Sequence, residues 1–557
     1  MKKVLMVAAE NDALVNAKVG GMGDVIRDLP PALLSASIQA DVAMPDYGFL
    51  IRSYNALKLA QVTVPFCGQI HTIDIYKMPR PEHKQNLAKS SYHAVAETDS
   101  TEVNSWVYLF SHPLFNQADQ SIYAQGSSDR PFADDASKFA LFSLAVAKAI
   151  CEGKLAEYDV LHLHDWHTAM IAMLRQCVDE FSGLKPLKCV YTIHNLALQG
   201  IRPYHHDSSS FISWFGYWFN QHDSVNDLPE GIADPRYSSC VNPMRMGIVM
   251  SDVVHVVSPS YAQEILRPSN PAMGFYGAEG LEADLIHKAK AGQLIGIING
   301  CEYSSTTESK PSQNVKQRLM LINQAQQALS KWQANKDVVS SEDFIASIKL
   351  TQYQQQLESS RKNASAPMLI TSVGRLTEQK VLLFLHKTQS GKNVLSELLD
   401  SLHRYNNDAR FILLGSGDAV LAKQFKSIAA HFNNFIYLNG YADNVAQTLY
   451  QQGDLFLMPS SFEPCGISQM LAMKQGQPCL VHGVGGLKDT VVHDRNGWQF
   501  SGANLDQQAQ AFIQQFSTCL DLFNTQDWHQ VCDNAAQARF DWQSIASEYA
   551  SKLYSPS

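Results

Sequence analysis

Asp159-Val160-Leu161-His162-Leu163-His164-Asp165-Trp166-His167 is the stretch on which the fold turns. Its first half is a short apolar run without polar alternation, the pattern of a strand buried on both faces of a parallel sheet. Its second half puts acidic, aromatic and imidazole groups where that strand ends, which is where open α/β sheets bind ligands. The same pattern recurs on either side. Before it stands Val4-Leu5-Met6-Val7-Ala8-Ala9, and after it Cys189-Val190-Tyr191-Thr192-Ile193 and Asp252-Val253-Val254-His255-Val256-Val257. A second series follows: Met368-Leu369-Ile370-Thr371-Ser372-Val373, Phe411-Ile412-Leu413-Leu414, Phe435-Ile436-Tyr437-Leu438, Leu455-Phe456-Leu457-Met458 and Cys479-Leu480-Val481. Helix-like segments separate these runs, so βαβ units and parallel sheets are expected.

The chain has 557 residues, too many for one hydrophobic core, so two domains with insertions are expected. The break falls in residues 304–366, rich in Gln, Ser, Lys and Asn. There Leu319-Met320-Leu321-Ile322 and Phe344-Ile345 indicate amphipathic helices. This predicts a first domain over 1–303, a helical spacer over 304–366 and a second domain over 367–535. The terminal segment 536–557 is a candidate to pack back on the first domain. Residues 211–240 lack a clean period and read as a loop or insertion. There is no solenoid-type repeat.

Hydrophobic residues make up 45% of the chain and charged residues 17%, and the formal net charge is -9. That balance excludes long disordered tails and does not provide the basic face a nucleic-acid binder needs. Ten cysteines without a C-x-x-C pair read as thiols in a reducing compartment. The apolar run after Met1-Lys2-Lys3 is too short for a signal peptide and ends at Glu10-Asn11-Asp12. No apolar stretch approaches the roughly 20 residues that span a bilayer. A cytoplasmic protein without a membrane partner is the expectation.

Six strand ends carry chemistry. Lys18-Val19-Gly20-Gly21-Met22-Gly23-Asp24 follows the first strand and precedes a helix expected near Val25. Its glycines permit close backbone approach, and a helix N-terminus favours an anion. It is neither a Walker loop nor a clean G-x-G-x-x-G, and taken alone it reads equally well as a tight turn. His162, His164, Asp165 and His167 suggest zinc, but the helical H-E-x-x-H spacing is absent, and Asp165 with the Trp166 ring suits a sugar. Thr192-Ile193-His194-Asn195 ends the next strand. In the second half, Arg375 and Lys380 lie across a turn and can clamp a diphosphate. Pro459-Ser460-Ser461-Phe462-Glu463-Pro464-Cys465-Gly466-Ile467-Ser468 leads from a strand into a helix whose N–H groups can hold hydroxyls or phosphate. Gly485-Gly486-Leu487-Lys488-Asp489-Thr490 repeats that design.

In this order and spacing the motifs resemble those of bacterial glycogen synthases and plant starch synthases, over most of the chain outside the spacer. The matching segments are Lys18 to Asp24, His164 to His167, Ile193 to Ala197 with Gln199-Gly200, Arg375 to Lys380, Gly440-Tyr441, Ser460 to Gly466, and Gly485-Gly486-Leu487 with Asp489-Thr490. Departures from the family pattern are Val19 for Thr, Val381 for Gly, Val484 for Thr, and Asn299-Gly300-Cys301-Glu302-Tyr303 for Asn-Gly-Ile/Val-Asp. The resemblance implies an α/β GT-B architecture, with two Rossmann-like, doubly wound parallel-sheet domains facing a central cleft, the first on the acceptor side and the second binding sugar nucleotide. It implies retaining transfer of glucose from ADP-glucose to the non-reducing end of an α-1,4-glucan, without metal or cofactor beyond the co-substrate. The implied partners are a sugar nucleotide and glycogen or a maltooligosaccharide.

Carried over, Arg375 and Lys380 neutralise the departing diphosphate, and Lys18 with the Gly20 and Gly21 amides closes from the other lobe. Glu463 with the amides of Cys465, Gly466 and Ile467 holds glucose hydroxyls. Asp165, His194 and Asn195 serve the sugar, Tyr441 lies beside adenine, and Gly485 and Gly486 line the nucleotide site. The alternatives are a related enzyme with another donor or acceptor, or a catalytically weak glucan-binding homologue.

Overall fold

The run after Met1 forms β1 (Lys2–Val7), a central strand of the first sheet in the computed structural model, which describes residues 1–81, 104–116, 121–124, 130, 132–222, 224–303, 315–359 and 366–555. The chain forms two units. The first comprises Met1–Pro268, Gly277–Gly300 and Asp541–Ser557, and the second Ser269–Tyr276 and Cys301–Phe540. The first break thus falls after Gly300, close to the expected 303. The last lies five residues beyond 535, and Ser269–Tyr276 joins the second unit.

Strands of the first unit are β1, β2 (Ile38–Pro45), β3 (Leu57–Phe66), β4 (Gln69–Pro79), β5 (Trp106–Ser111), β6 (Val160–His164), β7 (Lys188–Ile193), β8 (Arg202–Pro203), β9 (Cys240–Val241), β10 (Val253–Val256) and β11 (Leu294–Gly296). Nine of them make one sheet in the order β11-β10-β7-β6-β1-β2-β5-β4-β3, with β8 and β9 paired separately. Pairing is parallel from β11 to β5 and antiparallel at β5-β4-β3. The β3–β4 hairpin turns at Cys67-Gly68, both at positive φ (50° and 72°), the geometry that matches strand twist in a two-residue loop. Apolar side chains cover both faces of the central strands, and Val4, Leu5, Met6 and Val7 are fully buried. Helix Gly21–Ser35 turns Val25, Ile26, Leu29 and Leu33 to this core, a 3.6-residue stripe.

The supposed loop at 211–240 contains a helix, Phe211–Phe219, whose N-cap Ser210 accepts the N–H of Ser213. Its aromatic residues masked the helical period, because nearly every position is apolar. Of the terminal segment 536–557, Asp541–Ser557 belongs to the first unit. Trp542 donates to Asp28 at 3.1 Å, and Tyr549 and Tyr554 are buried.

The second unit carries β12 (Leu369–Val373), β13 (Arg410–Leu414), β14 (Phe435–Leu438), β15 (Leu455–Met458), β16 (Cys479–His482) and β17 (Gly497–Phe500), all parallel in the order β14-β13-β12-β15-β16-β17. The expected spacer is not separate from it. Of the spacer, 304–314 and 360–365 lie outside the described residues, while helices Val315–Ala334 and Ser341–Ser359 cover one face of this sheet. Leu321, Ile322, Leu329, Leu350 and Tyr353 pack with Leu369, Ile412 and Ile436. Their inward faces are mainly apolar with a few buried charged residues, Arg318, Asp343 and Lys349, so composition understated their burial. A buried Arg318–Asp454 ion pair at 2.8 Å ties the first of these helices to the sheet.

All ten cysteines are free. No described helix is long and apolar enough to cross a membrane.

Candidate active site

Both sheets reverse strand order once. β1 is flanked by β2 and β6, and β12 by β13 and β15. At such a switch point neighbouring crossover connections leave in opposite directions, opening a crevice at the carboxyl ends of the strands. Lys18, Gly20, Gly21, Asp165, Arg375, Lys380 and Glu463 to Ile467 follow the strands at these two places, whereas His194 and Asn195 follow the next strand β7, Gly485 and Gly486 follow β16, and Tyr441 follows the edge strand β14.

In the first unit, the chain leaving β1 passes through Glu10, a buried carboxylate that ends the first apolar run. Its Oε2 accepts the N–H groups of Val19 and Gly20 at 2.7 and 2.6 Å, and its Oε1 accepts the Tyr123 hydroxyl at 2.8 Å. The helix begins at Gly21, with Gly20 as N-cap, four residues before the expected start. Glycine has no side chain to clash in the first turn, so helix and motif overlap. The Gly20 amide expected to meet an anion is therefore already given to Glu10.

Lys18 is likewise held. Its ammonium sits 3.3 Å from Asp12 and 2.5 Å from Asp24, and Arg27 pairs with Asp12 and Asp28. Burial opposes the Lys18 charge, but Asp24 and Asp12 outweigh it and raise its pKa.

At the end of β6, Asp165 adopts φ 55° and ψ −179°, a region few non-glycine residues occupy. Its Oδ1 accepts the backbone N–H of His194 at 2.7 Å and of Asn195 at 3.4 Å. Asp165 thus spans β6 and β7 and fixes the loop that carries His194. Burial pushes its carboxyl up to about 7, against the two amides that favour the anion. Trp166 does not offer a ring to sugar. It is 3% exposed, and Gly200 lies so close that an added Cβ would come within 2.2 Å of its ring.

His164 is fully buried, and its Nδ1 lies 3.0 Å from Nε2 of the half-buried His194. Burial, then the nearby His255, lowers His194 to about 3. Behind them His162 bonds Tyr554 and Thr192 at 2.7 and 2.6 Å, and Thr192 bonds His255 at 2.9 Å. None of these histidines joins a group of three or more His, Cys, Asp or Glu able to hold a metal among the described residues.

In the second unit, β12 runs into Gly374-Arg375, and helix Glu378–Leu385 starts behind Thr377. Arg375 is exposed, and its guanidinium makes no hydrogen bond or ion pair among the described residues. Lys380 pairs with Glu463, which leaves β15, and Ser460 donates to the same Glu463 Oε2 at 3.0 Å. Gln379 donates to the Phe462 carbonyl at 3.0 Å, and Ser461 N–H to the Gln379 carbonyl at 2.7 Å. Two of the expected residues, Lys380 and Glu463, therefore meet between the segments that follow β12 and β15.

The β16 loop joins them. Gly486 donates to the Glu463 carbonyl at 3.0 Å, and a Cβ on Gly486 would stand 2.2 Å from the Cys465 carbonyl oxygen, so only glycine fits. Gly466 turns at φ 76° ahead of Ile467, the N-cap of helix Ser468–Lys474. Gly485 opens helix Gly485–Thr490. Tyr441 is 58% exposed, and Gly440 packs on Trp332 from the spacer, where an added Cβ would come within 2.6 Å of the ring.

Two parallel-sheet domains of the GT-B kind, each with polar strand-end loops at its switch point, define a glycosyltransferase fold. The family described as "Starch synthase catalytic domain" matches residues 3–287, and "Glycosyl transferases group 1" matches residues 368–519. The glycogen synthases of Streptococcus pneumoniae strains Hungary19A-6 and CGSP14 are each 30% identical over 561 residues, covering 99% of this chain and 99% of theirs. The catalytic domain of Arabidopsis thaliana starch synthase IV, solved bound to ADP and acarbose, shares the fold with TM-score 0.70 at 24% identity, covering 99% of this chain and 98% of that one. The chain belongs to the glycogen and starch synthase family of glycosyltransferases.

Proposed function

We propose that the protein transfers glucose from ADP-glucose to the non-reducing end of an α-1,4-glucan with retention of configuration, in the cytoplasm, using no metal and no cofactor beyond the sugar nucleotide. The observation that carries this reading is the β12–β15 corner. There an exposed, unpartnered Arg375 precedes the helix whose Lys380 is paired with Glu463. The arginine fork matches phosphate oxygens, and charge growing on a departing diphosphate is what fixed cations stabilise best. Glu463, buried and paired with Lys380, fixes that ammonium in place and offers an acceptor to glucose hydroxyls. Cys465, Gly466, Ile467, Gly485 and Gly486 shape the surrounding nucleotide pocket, and Tyr441 offers an exposed ring to the base.

In the first unit, Asp165 holds the His194–Asn195 loop, and His194 presents its ring to the sugar. Lys18 adds positive charge once its carboxylate partners share it. Support for the donor and acceptor comes from the glycogen synthase relatives and from the starch synthase IV structure bound to ADP and acarbose.

The test is glucose transfer to glycogen from ADP-glucose and from UDP-glucose in parallel, with EDTA present. ADP-glucose is expected to be used, undiminished by EDTA. Preference for UDP-glucose overturns the donor assignment, loss with EDTA overturns metal independence, and transfer from neither overturns the reading.

A further inference from the structure

The His164–His194 pair raises a question about protons that its surroundings answer. Two neutral imidazoles joined Nδ1 to Nε2 at 3.0 Å share one proton, so one ring donates and the other accepts. Both rings are neutral near pH 7, because burial drives each below the usual histidine range. The remaining nitrogens decide the direction. His164 Nε2 is buried without a hydrogen-bond partner among the described residues. If His194 donated, His164 would carry its proton on Nε2 as an unpaired buried N–H, an expensive arrangement. If His164 donates from Nδ1, its Nε2 is a bare imine nitrogen, a weaker polar group, facing apolar and aromatic neighbours such as the His162 ring at 4.2 Å. His194 then accepts at Nε2 and carries its own proton on Nδ1, which bonds to nothing else among the described residues.

We propose that His164 is a positioning residue that locks His194 in the Nδ1–H tautomer, so that His194 meets the substrate as a hydrogen-bond donor and not as a base. The consequence for substrate rests on the reading that His194 faces the sugar; the tautomer does not. Exposed imidazole prefers the opposite tautomer, with the proton on Nε2, so the lock has work to do. Asp165 completes it by holding the His194 backbone N–H at 2.7 Å, which fixes the ring's root while His164 fixes its far nitrogen. A donor at this place suits a sugar hydroxyl or ring oxygen, which accepts without losing a proton.

The experiment is ¹⁵N NMR of ring nitrogens in the full-length protein labelled at histidine, with His194 assigned by its loss in H194N. A protonated Nδ1 and bare Nε2 on His194 are expected in the free enzyme. The reverse pattern overturns the proposal whatever the activity. Two variants separate the hydrogen bond from packing. His164→Asn keeps an N–H donor at the δ position and is expected to keep the His194 tautomer and most of kcat. His164→Phe keeps ring volume without a donor and is expected to shift His194 toward Nε2–H and lower kcat on the order of tenfold. If H164N behaves like H164F in both readouts, the hydrogen bond is not the agent and the proposal fails. Full activity in H194A removes the sugar-contact reading alone, because the NMR pattern decides the tautomer independently.

Discussion

Acidification should unfold the first unit well before ordinary carboxylate titration begins. His162, His164 and His255 are fully buried, and His167 is 6% exposed. Burial lowers the pKa of each, that of His255 to about 3. The folded state thus binds no proton at these rings near pH 5.5, while the unfolded chain, with histidines near 6.5, does. The unfolded state binds more protons, so stability falls as pH falls. It is fully present above about 6.5 and is lost progressively toward the folded values. Between pH 7.5 and 5.5 each ring forfeits about 1.4 kcal/mol, the linkage of one tenfold change in proton binding.

The four together forfeit about 5–6 kcal/mol. The Asp165 carboxyl, raised to about 7 by burial, offsets about 2 kcal/mol of this by taking up a proton in the folded state over the same range. The net is still comparable to the lower end of a domain's whole stability. The half-buried His194 is left out of that sum. Urea unfolding at pH 7.5 and 5.5, followed by pulsed hydrogen exchange and mass spectrometry, reads the loss on peptides from β6, β7 and β10. A drop of several kcal/mol there is expected. A drop no larger than one histidine's share would mean that these rings are charged or solvated in the folded state, which would refute the burial argument.

Arg375→Ala should lower turnover about 10²- to 10³-fold, by analogy with removing one preorganised donor, with folding unchanged by circular dichroism; full activity would refute the clamp. Gly486→Ala must displace the Cys465 carbonyl from 2.2 Å and shift Glu463, so a stability loss of about 1–3 kcal/mol and roughly a hundredfold fall in kcat/KM are expected from calorimetry and initial rates. Arg318→Leu leaves Asp454 charged and buried, and should cost the second unit about 3–5 kcal/mol. Adding Asp454→Asn should recover most of it in urea melts, since Leu369 N–H keeps its acceptor, 2.8 Å away in the parent.

The strands buried on both faces were legible because parallel sheets write them as unbroken apolar runs. Phe435–Leu438 and Leu455–Met458 match residue for residue. β3, with one face half exposed, alternates polar and apolar residues and carries no such run. The site was legible where each partner sits in a motif of its own, as Lys380 and Glu463 do, although they meet across 83 positions. It was not legible where the partners carry no motif. Glu10 and Tyr123 meet across 113 positions, and neither forms a motif alone. The histidine layer shows why register matters. His164 pairs with Thr192, and Thr192 with His255, so three neighbouring strands place one polar row on one face. Strand parity puts His162 and His164 on a shared face, but only the register brings His255 to the row and the fold brings Tyr554 beneath it.

The departures from the family pattern sort by what carries the contact. Val19 is 44% exposed, and it is its backbone N–H, not its side chain, that meets Glu10. Val381 is buried in the second unit's core with Leu383 and Phe384, away from the Lys380 ammonium. Val484 caps helix Gly485–Thr490 in extended geometry without a side-chain bond. Cys301 donates its N–H to the Phe540 carbonyl at 2.7 Å, again through backbone. At Val19 and Cys301 the backbone contact does not depend on the side chain. Lys380, Glu463 and Asp165 are different, because their side-chain atoms make the contacts. The side-chain contacts of Lys380, Glu463 and Asp165 are therefore made alongside these departures and do not pass through the departing side chains.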